Sequence, residues 1–261
     1  TGVAIRRVDA DDAGVLARLQ SEGSASPADV ILLVDAARLW QAEVDGLFQP
    51  LRSRVLETRI PATLRGKDGG EGSPWFGLST RARVIVYNKV GVKKEDVATY
   101  ADLANPKNKG KFCTRSGSHP YNLSLFSAQL EHLGEVKTEA WLRGLVANMA
   151  RPPKGGDTDQ IRAVASGECQ IALTNTYYLA RLMRSDKAED RAVVEKTGMV
   201  FPDQAGAGTH VNVAGGAVAR HAPHRAAAAL FLEYLASDGS STWGGGGPML
   251  ADLAAEAPSA N

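Results

Sequence analysis

The stretch that most constrains the fold of this chain is an apolar run that passes directly into a helix signal. Residues 29–34 (DVILLV) are typical of a strand buried on both faces. Asp35 follows as a helix N-cap, a helix is predicted over 36–44, and Gly46 suits the position just beyond its end. The stretch therefore predicts a βα unit with Asp35 at the edge of a sheet, which is where open α/β folds place ligands.

The same alternation of short apolar runs and amphipathic segments continues along the chain, and 261 residues suffice for two modest α/β lobes. Alternating strands and helices predict a mainly parallel α/β architecture. The runs at 83–87 and 211–218 are candidates for strands that cross between the lobes. The other predicted elements are strands at 111–115 and 170–174 and helices at 122–133, 135–149, 178–183 and 226–236.

Composition narrows the classes of partner. The chain has 30 Lys and Arg against 29 Asp and Glu, and its basic residues are scattered, so no nucleic-acid partner is indicated. No apolar run has the length needed to span a bilayer. The chain begins at Thr1 and shows no signal peptide, so we expect a processed product.

Cys113 and Cys169 are the two cysteines. Each borders a short β-like run, so they are candidates for a disulfide in an oxidising compartment, and two buried free thiols are an equal alternative. Their spacing fits no zinc pattern.

The residues 175–178 (NTYY) lie where a predicted strand ends and a helix begins. Two adjacent phenols there form either an aromatic wall or, in the presence of a hard cation, a pair of phenolate ligands, because a bound cation favours loss of the phenol protons. A second candidate region is the loop 116–122 (SGSHPYN), whose small residues before a helix offer backbone N–H groups to an anion.

An enzyme is the alternative from another class. Ser116 or Ser118 with His119 would supply a nucleophile and a base, but neighbouring residues rarely point at each other and the chain contains no G-x-S-x-G elbow. We therefore expect a binding protein, not an enzyme. Surface or loop positions are expected for His119.

Five segments together resemble the periplasmic ferric-iron-binding proteins of bacterial ABC transporters, in particular their tyrosine-rich branch. The similarity runs from about residue 1 to about residue 237. The segments are SPADVILLVDAARLWQAEVDGLFQPL, RARVIVYNK, TYADLANPKNKGKFCTRSGSHPYN, GGDTDQIRAVASGECQIALTNTYYLARL and FLEYLAS. The resemblance implies a two-lobed periplasmic-binding-protein (type II) fold with a hinge of crossing strands and the ligand in the cleft between the lobes.

By the same resemblance, Tyr121, Tyr177 and Tyr178 are ligands of Fe(III), and Arg83 holds a carbonate-like synergistic anion. Three phenolates neutralise Fe(III), and a guanidinium can grip an anion with two parallel hydrogen bonds. For Arg83 the alternative is a salt bridge, and Arg81 is its rival for the anion. Residues expected to support the site indirectly are Asp35, Arg81, Ser116, Asn122 and Asn175.

The lobes are expected to comprise 1–82 with 208–261, and 83–207. Relative to the family, a further N-terminal strand and loop are expected to be missing from this chain. The implied protein is periplasmic, monomeric and delivers iron to an ABC permease in the inner membrane. The alternative is a metal-free receptor of the same superfamily for a small anion such as phosphate.

Overall fold

A computed structural model describes residues 4–10 and 12–237 of the chain. Its contacts divide the chain into two compact units, one made of Thr1–Thr80 with Val213–Asn261 and the other of Arg81–Asn212. The first is called the discontinuous unit below and the second the continuous unit.

The described elements follow one another in the order α1 (Asp12–Glu22), β1 (Val30–Leu33), α2 (Ala36–Val44), β2 (Phe48–Gln49), α3 (Arg54–Arg59), β3 (Phe76–Asn88), β4 (Phe112–Cys113), α4 (Pro120–Leu133), α5 (Glu135–Ala147), α6 (Asp157–Ser166), β5 (Ile171–Asn175), α7 (Thr176–Met183), α8 (Ala188–Lys196), β6 (Thr197–Val200), β7 (Val211–Ala219) and α9 (Arg225–Leu235). Strands β3 and β7 contain the two boundaries, so the chain passes from one unit to the other within them. No helix in the described part of the chain is long and apolar enough to cross a membrane.

In the discontinuous unit, β7 pairs antiparallel with both β1 and β2. The predicted βα unit is present, since the Asp35 carboxylate accepts a hydrogen bond from the backbone N of Ala37 at 2.9 Å at the start of α2. The expectation that the first strand is buried on both faces is wrong. Ile31 and Leu33 are buried, but Leu32 between them is 49% exposed, which is the alternation of a strand with one covered face.

The continuous unit is built on a sheet in which β3 pairs antiparallel with β5 and with β6, while β4 pairs parallel with β5. The expected mainly parallel architecture is therefore wrong, because only β4 and β5 run parallel among the strand pairs described. Apolar clusters cover both faces of this sheet: Ile85 and Leu173 belong to one cluster, and Val86 and Ala172 to the other.

Cys113 and Cys169 form a disulfide, with their Cα atoms 5.9 Å apart. The structure thus decides between the two alternatives that the sequence left open. Cys113 ends β4 and Cys169 precedes β5. The disulfide therefore joins the segment that leads to Tyr121 to the segment that leads to Tyr177 and Tyr178.

Candidate metal and anion site

The three tyrosines come from the first turns of two helices that follow neighbouring strands. Thr176 begins α7 directly after β5, so Tyr177 and Tyr178 lie in its first turn. Pro120 begins α4, a favoured position for proline because its missing N–H would have no partner in the helix. His119 caps this helix, its Nδ1 accepting a hydrogen bond from the backbone N of Tyr121 at 3.2 Å. Parallel pairing of β4 and β5 directs both connections towards the same edge of the sheet.

The three phenol rings form one cluster at this edge. The Tyr121 and Tyr177 hydroxyl oxygens are 3.1 Å apart, which is hydrogen-bond distance. The rings of Tyr177 and Tyr178 have centroids 4.2 Å apart with planes inclined by 32°. The structure therefore brings together the three residues proposed as ligands, although 56 residues separate Tyr121 from Tyr177.

Burial favours the neutral form of the Tyr121 and Tyr177 phenols. The pKa of Tyr177 is raised, mainly because burial disfavours the phenolate, and hydrogen bonding to Tyr121 and Tyr178 raises it further. Burial also raises the pKa of Tyr121, against the opposing effect of its hydrogen bond with Tyr177. A cation that binds here must therefore displace the phenol protons.

Guanidinium groups surround the cluster. The Arg115 and Arg81 guanidinium carbons lie 5.0 and 5.4 Å from the centroid of the Tyr121 ring. The Arg181 guanidinium lies 5.9 Å from the Tyr177 ring and 5.8 Å from the Tyr178 ring. Cations at these distances interact favourably with the electron-rich ring faces, and they favour negative charge on the oxygens or on a nearby ligand.

Arg83, which lines the same pocket as Tyr121, forms a buried ion pair. Its side chain is 2% exposed, and its Nη1 donates to Asp157 Oδ2 at 2.5 Å and to Asn175 Oδ1 at 3.2 Å. Its Nη2 donates to Asn122 Oδ1 at 2.7 Å. Burial lowers the pKa of the Arg83 guanidinium, and the Asp157 carboxylate opposes that shift. Three of the five guanidinium N–H groups are thus engaged by the protein, which leaves Nε–H and one N–H of Nη2 for other acceptors.

Some buried N–H groups beside this ion pair have no partner among the described residues. Arg83 Nε and Asn175 Nδ2 are buried and have no hydrogen-bond acceptor among the described residues. Buried donors of this kind call for an acceptor, because leaving one unsatisfied costs about 1–3 kcal/mol. Both residues line a small pocket, whose lining consists of Arg81, Arg83, Tyr121, Ser124, Asn175, His210 and Asn212. The donor set suits a small oxoanion beside the phenols.

The other sequence-predicted residues occupy different places. Asn122 is buried, and its Nδ2 donates to Thr114 Oγ1 and to the carbonyls of Arg115 and Ser116. Ser116 is exposed, with its Oγ 2.8 Å from Ser118 Oγ. Asp35 belongs to the discontinuous unit as the cap of α2, whereas the tyrosines belong to the continuous unit.

Sequence reasoning assigned no role at the site to Asp157, Arg115 or Arg181. The segment 157–160 (DTDQ) resembles a capping box, and Asp159 is the residue that caps, its carboxylate accepting a hydrogen bond from the Gly156 backbone N at 2.7 Å. Asp157 turns inward instead. The sequence does contain one signal for this, because Asp157 and Asp159 both lie in the first turn of α6 and only Asp159 is needed for the cap.

Three further residues that the sequence did not single out, Ser124, His210 and Asn212, line the pocket and are linked by hydrogen bonds. Ser124 Oγ is 2.8 Å from His210 Nε2 and accepts a hydrogen bond from Asn212 Nδ2 at 2.6 Å. These residues lie 86 and 88 positions apart in the sequence from Ser124, so no local pattern links them.

Within the described residues there is no group of three or more His, Cys, Asp or Glu side chains that could hold a metal ion. The three clustered phenols of the continuous unit are a group of oxygen donors to which a metal could bind. Phenolate oxygen is a hard ligand and suits a hard, highly charged cation.

A mixed α/β fold of two units, joined through two strands and carrying a polar site beside a sheet edge, defines a two-lobed solute-binding protein of the type II class. The sequence matches the family of bacterial extracellular solute-binding proteins over residues 1–260, and the chain belongs to that family.

Individual relatives agree. The chain is 49% identical over 238 residues to iron uptake protein A1 of Synechocystis sp., which covers 91% of this chain and 65% of the relative. Among solved structures, it is similar to the Trichodesmium IdiA (FutA) protein in complex with iron and citrate, with a TM-score of 0.84, 49% identity, and coverage of 92% of this chain and 75% of that one. A ferric binding protein from Campylobacter jejuni gives a TM-score of 0.83 at 37% identity, with coverage of 92% and 75%. The chain therefore spans about two thirds of the length of the first of these relatives.

Proposed function

We propose that this protein binds ferric iron through the phenolates of Tyr121, Tyr177 and Tyr178. The observation that carries the proposal is the phenol cluster, in which side chains from two helices meet with hydroxyl oxygens 3.1 Å apart. Three phenolates would neutralise Fe(III), and the surrounding guanidiniums favour loss of the phenol protons. Relatives whose names describe iron uptake or ferric binding support the choice of metal.

A synergistic anion completes the proposed site. Arg83 supplies Nε and Asn175 supplies Nδ2, two buried donors that have no partner among the described residues, and Arg81 lies at the wall of the same pocket. Carbonate is the anion that the resemblance implies, and a hydroxycarboxylate such as citrate is supported by the Trichodesmium complex. Arg83 would thus contact the anion through Nε while Nη1 remains in the ion pair with Asp157 and Nη2 donates to Asn122.

The physiological role follows from the family. We propose a monomeric periplasmic carrier that captures Fe(III) and delivers it to an ABC permease in the inner membrane. It does no chemistry on its cargo. Release would follow loss of the anion, protonation of the phenolates or reduction of the metal.

Absorbance spectroscopy tests the proposal. Purified protein is titrated with ferric nitrilotriacetate in bicarbonate buffer. We expect a broad visible band from phenolate-to-iron charge transfer, absent in the Tyr177→Phe/Tyr178→Phe double variant and retained in Tyr234→Phe, a tyrosine of α9 in the other unit. A folded wild-type protein that binds no iron and stays colourless would contradict the proposal.

The buried donors Arg83 Nε and Asn175 Nδ2 also favour a second candidate function, a metal-free receptor for a small anion such as phosphate. Calorimetric titration with phosphate in the presence of a metal chelator separates the two. Heat of binding without metal, together with no visible band on addition of iron, would favour the anion receptor.

A further inference from the structure

Asp157 connects the segments that carry the three tyrosines. Its carboxylate is fully buried. Oδ2 accepts hydrogen bonds from Arg83 Nη1 on β3 at 2.5 Å and from the backbone N of Asn175 at 2.7 Å. Oδ1 pairs with Arg115 Nη1 at 3.4 Å. A single buried carboxylate is therefore bonded to three different parts of the continuous unit.

Each of these bonds ends next to a proposed iron ligand. Asn175 is the last residue of β5, two residues before Tyr177. Arg115 stacks on the ring of Tyr121 at 5.0 Å. Arg83 in turn donates to Asn122, the neighbour of Tyr121, at 2.7 Å. The first turn of α4 and the first turn of α7 are thus tied to the same carboxylate.

Charge strengthens the arrangement. The carboxylate lies between two guanidiniums, one 2% and the other 15% exposed, at the first residue of α6, where the helix dipole also favours a negative charge. Charge-assisted hydrogen bonds in a buried site are strong and directional, so they limit the movement of the groups that they join.

We propose that Asp157 is a positioning residue for iron binding: it fixes the spacing of the three phenol groups before the metal arrives. This inference rests on the proposed function, because it concerns the geometry of that same site. Asp157 does not contact the metal in this proposal and acts through Arg83, Arg115 and Asn175. Without its charge, the two helix starts are free to separate, and the site would bind Fe(III) with fewer phenolates.

The test compares Asp157→Asn with two matched variants. Asp159→Asn removes a carboxylate two positions along the same helix, one that caps the Gly156 backbone N. Asp190→Asn breaks another carboxylate–arginine pair of the continuous unit, with Arg162 at 2.5 Å. Asp159→Asn thus controls for the loss of a helix cap, and Asp190→Asn controls for the loss of an ion pair. An effect seen only in Asp157→Asn belongs to this particular carboxylate.

Each protein is titrated with ferric nitrilotriacetate, and both the apparent affinity and the visible band per bound iron are recorded. For Asp157→Asn we expect at least a tenfold loss of affinity together with a shifted and weaker band, since the band reports how many phenolates are bound. The two control variants are expected to keep the wild-type band and to remain within about threefold of its affinity, which is under 0.7 kcal/mol.

The results distinguish this inference from the proposed function. A colourless wild-type protein would contradict the function itself. A coloured wild-type protein with an unchanged band in folded Asp157→Asn, and a loss of affinity no larger than in Asp190→Asn, would overturn the positioning role alone.

A second variant covers the case in which circular dichroism shows that Asp157→Asn does not fold. Arg115→Lys leaves the Arg83–Asp157 pair and a positive charge beside Tyr121 in place, and it removes the guanidinium that contacts both Asp157 and the Tyr121 ring. A weakened and shifted band in this variant supports the inference, and a wild-type band and affinity would overturn it.

Discussion

At the scale of single residues, the site combines groups whose charges depend on one another. Tyr121 and Tyr177 are neutral in the metal-free protein because burial raises their pKa. Arg83 and Asp157 are charged and paired beneath them. Removing one partner of such a buried pair typically costs about 3–5 kcal/mol, because the other charge is left uncompensated.

Iron binding is expected to weaken as the pH falls. Because the pKa values of Tyr121 and Tyr177 lie above the ordinary phenol value, both are protonated at neutral pH, and Fe(III) must displace their protons. Each proton released changes the apparent association constant by about tenfold per pH unit. The slope of log affinity against pH is therefore positive, and it is measured by competition with a chelator of known pH dependence.

Tyr177→Phe provides the control for this slope. We expect one proton fewer to be released, so the plot becomes shallower by about one log unit per pH unit. An affinity that is independent of pH between pH 5.5 and 8 in the wild-type protein would show that phenolates are not the ligands.

At the scale of elements, local signatures could be predicted and pairings could not. The cap of α2 by Asp35 depends on neighbours two residues away, and the sequence predicted it correctly. The direction of β3 relative to β5 depends on which strands meet in space, and the expectation of mainly parallel strands was wrong. The exposure of Leu32 was missed for the same reason, since an apolar run does not say which face is covered.

The site shows the same division. The adjacent phenols of Tyr177 and Tyr178 could be singled out from the sequence, and their proximity to Tyr121 followed only from the resemblance. The partner of Arg83 is 74 positions away, and Asp157 carried a plausible local role as part of a helix start. No periodicity records a contact of that kind, so the ion pair and the unpartnered Nε became visible only in the structure.

The disulfide is an element-scale constraint with a measurable effect. It links residues 56 positions apart and so restricts the unfolded chain. By chain entropy, a loop of this length corresponds to about 4 kcal/mol of stability. We expect the Cys113→Ala/Cys169→Ala double variant to lose a free energy of unfolding of that order, measured by urea denaturation.

Iron binding by the folded fraction of this variant should persist, because neither cysteine is among the proposed ligands of the metal or of the anion. An unchanged urea midpoint, or a lost visible band in a fully folded variant, would contradict this view of the disulfide as a stabilising link alone.

At the scale of the whole molecule, the near-balanced charge of the chain leaves no general attraction for polyanions. Any preference for an anionic ligand therefore resides locally, where Arg81, Arg115 and Arg181 surround the phenols. Membership of the solute-binding family and similarity to iron-bound relatives agree with a carrier whose specificity is concentrated in one site. The three proposed ligands all belong to the continuous unit.

The proposed ligand set is best tested by a crystal structure of the iron-loaded protein with anomalous scattering recorded at the iron absorption edge. We expect one strong anomalous peak within bonding distance of the phenol oxygens of Tyr121, Tyr177 and Tyr178. We also expect density for an anion within hydrogen-bond distance of Arg83 Nε and Asn175 Nδ2. An iron peak located elsewhere, with the Tyr121 and Tyr177 hydroxyls still hydrogen-bonded to each other, would show that the tyrosines are not the ligands.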